Sequence, residues 1–475
     1  MKLESELSVI YASSYALLCM HYSQRHVFEL YFPLFLQIIL CVNLPSMSAI
    51  SDHLSRGMAT SKELQVATGL SQSAVSRALS ALKGNVVRIK RGKAYRYGLT
   101  RNAFGVGDSI PLFSVDPHGN TFPIADIRPL AHGGFIVERT TGTPSILLGE
   151  RQDGYFDDLP FFLEDLRPQG FLGRKIARAI AERFDFPDNP NDWTAEQIGR
   201  FLIANGDDLP GNLVLGEQAY MRLSRRYSAV LKDEYPAMAQ GVIGDELPGS
   251  SAAGEQPKFA AYTEDLGHVI VKFSPDDDSA AAKRWRDILL SEYHAANVLH
   301  KNAQCPAAKC NLFESGGRLF LESQRIDRHG EQGRLPMISL RTVDAEYTGI
   351  GSKWIPVMEA LQQQGRVTSA HLYDTVMLDY FGRFINNTDR HLGNLSLAVD
   401  GDVFRLLPVY DMCSMGFAPL STGEVRPYGY SVPELSEIEE KHGAVGEAKV
   451  WAEMFWGEMR NDPRISDELK IWLDV

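Results

Sequence analysis

The sequence predicts an α+β protein in unequal parts: a small basic module of helices and a hairpin, then a large acidic body that starts with strands and ends mostly in helices. Three observations lead there. Charge divides the chain, because residues 64–107 contain no Asp or Glu although the whole chain carries −12. Two capped helical patterns in succession run into a stretch of period-two alternation. Beyond them, short strand-like runs give way to longer apolar patterns of helical period.

A chain of 475 residues has room for roughly two to four domains. Its 44% hydrophobic and 23% charged content excludes collagen-like, mucin-like and wholly disordered classes. Cys19, Cys41, Cys305, Cys310 and Cys413 form no C-x-x-C pair and no dense framework, which argues against structural zinc and a disulfide-stapled secreted fold. Cys305 and Cys310 read as unligated thiols, and a reducing, cytoplasmic location is expected.

Residues 1–46 form an apolar extension with a charge of −1. The run Val27–Val42 is shorter than the ~20 residues a spanning helix needs, and Glu29, Pro33 and Gln37 interrupt it, so no membrane partner is expected. Acidic residues near the start also disfavour a signal peptide, and a native start at Met47 is the alternative reading of this segment.

Residues 47–107 carry +8. Thr60 to Glu63 has the S/T-x-x-E order of a capping box, Gly69 breaks the helix it opens, and Ser71 caps a second helix closed by Gly84. On that second helix Val75, Leu79 and Leu82 make the buried stripe, leaving Gln72, Ser73, Ser76 and Arg77 outward. The segments VVRIK and KAYRYGL alternate with period two about a tip containing Arg91 and Lys93. This pattern resembles a winged helix-turn-helix, which reads double-stranded DNA with the second helix in a major groove and the hairpin along the phosphates. A basic solvated face is the plainer reading, but 44 residues without an acid favour nucleic acid. Two-fold operators and this geometry suit a homodimer.

Residues 108–245 form a mixed subdomain with strand-like runs at 134–139 and 145–149, a helix at 173–184 and a turn-rich stretch at 206–211. No function is legible in it. From Ser250 the sequence speaks more clearly. The small-residue loop from Ser250 to Phe259 includes Ser251, Gly254 and Lys258, and the strand after it carries Lys272. Small residues let backbone N–H groups approach phosphate oxygens, and ammonium groups neutralise them. The loop alone is weak evidence, since it is neither G-x-x-x-x-G-K-S/T nor G-x-G-x-x-G.

Downstream, an apolar helix at 372–384 runs into I-N-N-T-D-R-H-L-G-N, and the run 403–409 ends at Tyr410-Asp411. Asp389, Asn394 five residues later and Asp411 a further 17 on repeat the order in which protein kinases place a catalytic Asp, a metal-binding Asn and a metal-binding Asp. Phosphoryl transfer from ATP needs a carboxylate to accept a hydroxyl proton and hard oxygen ligands for Mg2+. Glu292, on the helix after the Lys272 strand, is placed for a kinase-type ion pair, with an ordinary surface glutamate as the alternative. His391 reads as a residue orienting its loop, and Gly349 to Lys353 as a turn.

The motifs S-x-x-G-x-Q-x-K (Ser251 to Lys258), N-T-D-x-H-x-x-N (Asn387 to Asn394) and Tyr410-Asp411 together resemble the HipA family of serine/threonine kinases, toxins of bacterial toxin–antitoxin modules. The fused basic module resembles the YjjJ (HipH) branch. The resemblance spans about residues 108–475 and implies a HipA-like bilobal kinase fold, with a nucleotide-binding lobe at 246–328 and a mainly helical lobe at 329–475. It implies that Lys258, Lys272 and the Gly254 loop hold ATP phosphates, that Asp389 is the catalytic base, and that Asn394 and Asp411 hold Mg2+. Ser251 matches the loop serine that members autophosphorylate. The family's hinge E-R-F-D-R stands here as Gln324-Arg325-Ile326-Asp327-Arg328, so Gln324 and Ile326 would meet the nucleotide in altered form. Implied partners are a protein substrate, such as an aminoacyl-tRNA synthetase or another translation component, and an antitoxin. Two rival readings are a DNA-binding regulator with an inactive kinase-like body and a metal-dependent nuclease. The −19 charge of residues 108–475 opposes a long DNA channel.

Overall fold

The computed structural model describes residues 46–244, 256–302, 307–420 and 422–474. The chain divides into two compact units, one reaching Thr100 and one running from Arg101. The apolar run 27–42, Ser251, Gly254 and Cys305 lie outside the described residues.

In the first unit, residues 46–54 are helical, then come β1 (Ala59–Thr60), the helices Ser61–Thr68 and Gln72–Ala81, β2 (Val86–Arg91) and β3 (Ala94–Leu99). Thr60 caps the first of these helices: its hydroxyl accepts the Glu63 N–H at 3.2 Å while the Glu63 carboxylate accepts the Thr60 N–H at 2.6 Å. Gly69 ends it at φ 69°, a conformation that favours glycine. The antiparallel sheet runs β1-β3-β2, and Ile50, Leu54, Leu64, Val75 and Ala78 fill the core. Ala78 sits at the centre where Leu79 was expected. Leu79 and Leu82 are only half-buried, because the small side chain is what lets the helix approach. Gln72, Ser73, Ser76, Arg77 and Lys93 are exposed, and Arg91 is half-buried beside the hairpin tip.

The second unit opens with a five-stranded sheet of β4 (Ile110–Val115), β5 (Thr121–Pro129), β6 (Phe135–Arg139), β7 (Tyr155–Phe156) and β8 (Leu213–Leu215), ordered β7-β6-β5-β4-β8. The helices Gly170–Phe184 and Ala195–Asn205 contribute Ala177, Ile180, Ile198 and Phe201 to the core that this sheet shares. Residues 145–149 are no strand. Ser145–Leu148 forms a 3-10 turn behind Pro144, and Ile146, Leu147 and Leu148 are all buried, a pattern that short apolar runs cannot distinguish from a strand.

A second sheet, ordered β11-β12-β10-β9, contains β9 (Lys258–Thr263), β10 (Gly267–Phe273), β11 (Cys310–Ser315) and β12 (Arg318–Gln324), all antiparallel. One face buries Phe259, Val269, Val271, Phe273 and Phe320 around Tyr235. The 23-residue helix Ala280–Asn302 follows β10. The short pair β13 (Arg328–His329) and β14 (Gly333–Arg334) leads into β15 (Ile338–Ser339), which joins β16 (Ser396–Asp400) and β17 (Val403–Leu406). Around them pack the helices Leu340–Tyr347, Trp354–Gln363, Ser369–Phe384 and Gly443–Asn461. The Gly349 to Lys353 segment is a turn closed on an internal anion, since the Ile350 and Gly351 N–H groups donate to the buried Asp344 carboxylate at 2.9 and 2.8 Å. Among the described residues no helix is long and apolar enough to cross a membrane.

Candidate active site

Period two sends Val269, Val271 and Phe273 of β10 into the aromatic core and Lys272 to the other face, where its register partners are Lys258 on β9 and Leu321 on β12. Lys272 is 4% exposed and would be costly there unpaired. Its Nζ donates to Glu292 Oε1 at 2.6 Å and Oε2 at 2.5 Å, and to Asp411 Oδ1 at 2.7 Å. Glu292 comes from the middle of the helix Ala280–Asn302 and is 2% exposed.

These three groups set one another's ionisation. Burial works against the Lys272 ammonium, but the Asp411 and Glu292 charges outweigh it and raise its pKa. Burial would lift the Asp411 carboxyl, yet Lys272, then Lys258, bring it down to about 2. Glu292, more deeply buried and sharing the same ammonium with a second carboxylate, is pushed upward. Asp411 also takes a left-handed backbone, φ 55°, that non-glycine residues rarely adopt.

The loop after the helix Ser369–Phe384 is held from inside. Asn387 is 3% exposed and its Oδ1 accepts the Asp389 N–H at 2.9 Å. Asn394 Nδ2 donates to the Asp389 carbonyl at 2.7 Å and to Asp389 Oδ2 at 3.2 Å, so the five-residue spacing closes into one hydrogen-bonded ring. The His391 Nδ1 accepts the Gly393 N–H at 3.0 Å, its Nε2 stands 3.7 Å from Asp389 Oδ1, and its carbonyl accepts Trp354 Nε1–H at 2.8 Å. His391 is also near enough to lower the Asp411 pKa.

A cleft of about 710 Å³ joins these elements. Lys258, Ala260, Ile270, Lys272, Tyr410 and Asp411 line it, together with Gln324 to Asp327. Gln324 Nε2 donates to the Leu266 carbonyl at 2.9 Å, so its amide braces the β9–β10 turn. The oxygens of Asp389, Asn394 and Asp411 are hard donors of the kind Mg2+ takes. Asn394 spends its amide nitrogen on Asp389, leaving its carbonyl oxygen as the donor, and Asp411 spends Oδ1 on Lys272, leaving Oδ2. That donor set fits the ion. Among the described residues no group of three or more His, Cys, Asp and Glu is suited to a metal.

One cluster escaped the sequence reading. Asp327 is 3% exposed and accepts from Arg325 at 3.1 and 2.9 Å, from Arg328 at 2.5 Å and from the Gly211 N–H at 2.9 Å. Both arginines also reach Asp208, at 3.0 and 2.8 Å. Burial opposes the Asp327 charge, but the two guanidinium groups hold its pKa well below normal. Gly211 has φ 77°, and a Cβ there would fall 2.7 Å from the Met337 carbonyl. The R-x-D-R part of the hinge thus bolts the 207–211 turn to the cleft wall. Charges packed this closely beside a buried strand were the available signal, since buried charges require partners.

Three comparisons follow from this geometry. Residues 106–224 match the family described as "YjjJ-like toxin, middle domain", and residues 250–458 match "HipA-like C-terminal domain". The chain is 34% identical over 433 residues to Toxin YjjJ of Escherichia coli (strain K12), covering 89% of this chain and 95% of that one. Among solved structures, a chain of the Shewanella oneidensis MR-1 toxin–antitoxin complex of HipA, HipB and operator DNA is similar in fold, with a TM-score of 0.50 and 15% identity over 75% of this chain and 90% of that one.

Proposed function

The chain belongs to the YjjJ-like toxins and carries their HipA-like C-terminal domain, and we propose that it is an ATP- and Mg2+-dependent serine/threonine protein kinase with a fused DNA-binding module. One observation carries this reading: the buried Lys272 ammonium, in the lining of a cleft of about 710 Å³, is clamped between Glu292 and Asp411. Lys272 and Lys258 neutralise triphosphate oxygens, and the cleft wall from Gln324 to Ile326 meets the base. Asp389 orients a substrate hydroxyl and takes its proton, with Asn394 and His391 fixing the carboxylate. Asn394 and Asp411 would hold Mg2+, which would supply neutralisation of phosphate charge when bound. Ser251 is the proposed site of autophosphorylation, and a translation component is the proposed class of target.

Incubation with γ-labelled ATP and Mg2+ tests the reading. Label on serine or threonine of a target protein and on Ser251 is the expected result. Nucleotide untouched under these conditions would leave a DNA-binding regulator, and DNA cut without ATP would point to a nuclease.

The first unit is proposed to be a winged helix-turn-helix. Its β1-β3-β2 sheet, the exposed Gln72, Ser73, Ser76 and Arg77 on one helix, and Lys93 with Arg91 at the hairpin tip support this. If about five phosphates are contacted, log K for DNA should fall against log salt with a slope of about −4 to −5. Fluorescence anisotropy on duplex DNA reads it, and salt-independent binding would refute the assignment.

A further inference from the structure

The helix Ala280–Asn302 is fastened along one face at four levels to the segments that follow Asp411. Arg284 stacks 3.6 Å over Tyr428 and donates to the Phe417 and Arg426 carbonyls, both at 2.9 Å. Asp287 accepts Tyr428 O–H at 2.6 Å and the Ser466 N–H at 2.9 Å. His294 meets Asp462 at 2.8 Å and Glu458 at 3.2 Å. Between these levels lies Ser291, next in sequence to Glu292 and 1% exposed. Its hydroxyl donates to the Ile288 carbonyl at 2.7 Å and accepts the Ser414 N–H at 3.0 Å.

We infer that Ser291 is a positioning residue that keeps the Glu292 helix and the Asp411 segment in one register, so that Lys272 stays centred between two carboxylates. This rests on the kinase reading above. Ser414 stands three residues beyond Asp411 and is 2% exposed, so its N–H has no water to turn to. Two residues later the Gly416 N–H donates to the Asn386 carbonyl at 2.9 Å, and Asn386 side-chain atoms leave no room for a Cβ at Gly416. The segment 411–416 is therefore pinned on one side to the Glu292 helix and on the other to the loop that carries Asp389. A residue with φ 55° keeps that conformation only when its surroundings over-determine it. Downstream of Asp411 the buried Met412, whose sulfur accepts from Asn387 Nδ2 at 3.3 Å, and these two N–H contacts supply constraints, and of them Ser414 is the one tied to the Glu292 helix. The bolts at Arg284, Asp287 and His294 hold the helix as a body. Ser291 alone among the four sits beside the ion pair and reaches the Asp411 segment itself.

The test compares the full chain with Ser291→Ala and Ser291→Thr, at a temperature where circular dichroism finds all three folded. Loss of the acceptor in the alanine variant is expected to lower kcat/KM for Mg–ATP about tenfold. The threonine variant, which keeps the hydroxyl, should recover most of it, and binding of a non-hydrolysable Mg–ATP analogue by calorimetry should weaken in parallel. A lowered melting temperature with kcat, KM and analogue affinity all at wild-type values would overturn the inference, as would a threonine variant no better than alanine. A wild-type chain that neither binds the analogue nor transfers phosphate would overturn the kinase reading and this inference together. Turnover by wild type, equalled by alanine, removes the inference alone.

Discussion

Asp389→Asn is expected to lower phosphotransfer by about 10²- to 10⁴-fold, the usual contribution of a positioned general base. The asparagine has the same shape and can still accept through its oxygen from Asn394 Nδ2, which sits 3.2 Å from Asp389 Oδ2. What it cannot do is take a proton from a hydroxyl. The Asp389 side chain is 48% exposed, so its exchange should move stability by no more than about 0.5 kcal/mol. Because the role assigned to Asp389 is toward the substrate hydroxyl and not toward the nucleotide, KM for ATP should hold while kcat falls. Steady-state phosphorylation of a target protein, compared with urea midpoints of the two chains, checks both halves. Activity within a few-fold of wild type would remove Asp389 from the role of base.

How much of this site the sequence discloses follows from how far apart its partners stand. Asp389 and Asn394 close a ring across five residues, so their spacing alone carries the geometry. Lys272 was legible from the order of a small-residue loop, Lys258 and a strand lysine, and Glu292 only as a candidate on the helix after that strand, since the pattern does not tell it from a surface glutamate. Asp411 was marked by its place at the end of an apolar run. The Asp327 cluster, by contrast, joins groups 116 to 120 residues apart, and no local period records such a pairing. Ser291 was invisible for the same reason, since its partner Ser414 is 123 residues away. In the first unit the caps at Thr60 and Ser71 were readable from residue type, whereas the choice of Ala78 over Leu79 for the centre depends on how closely two helices pack. The 3-10 turn at Ser145–Leu148 was misread because burial on all sides erases the alternation that identifies a strand.

Lys272→Met should destabilise the second unit by about 2–4 kcal/mol near pH 8, because it leaves the buried Glu292 carboxylate and the partly exposed Asp411 carboxylate without the ammonium they share. Methionine fills a similar volume, so the loss reports charge and not a cavity. The pH dependence separates this from general damage. In the wild-type chain Asp411 has a folded pKa of about 2, below its unfolded value of about 3.9. Its contribution is therefore present above about pH 4 and is lost as pH falls toward about 2. Lys272 has a folded pKa above its unfolded value of about 10.4, so its contribution is complete below that pH and fades only in stronger alkali. In the variant both carboxyls move upward, because Asp411 loses the largest charge holding it down and keeps only Lys258 and His391, and Glu292, already raised in the wild type, rises further, so their cost shrinks as they take up protons. The stability gap between the two chains should thus be widest at neutral pH and shrink steadily on acidification. Urea unfolding at pH 8, 6 and 4.5 reads it. Equal midpoints at pH 8, or a gap that grows toward acid, would mean that Lys272 is not the charge on which the Glu292–Asp411 pair depends.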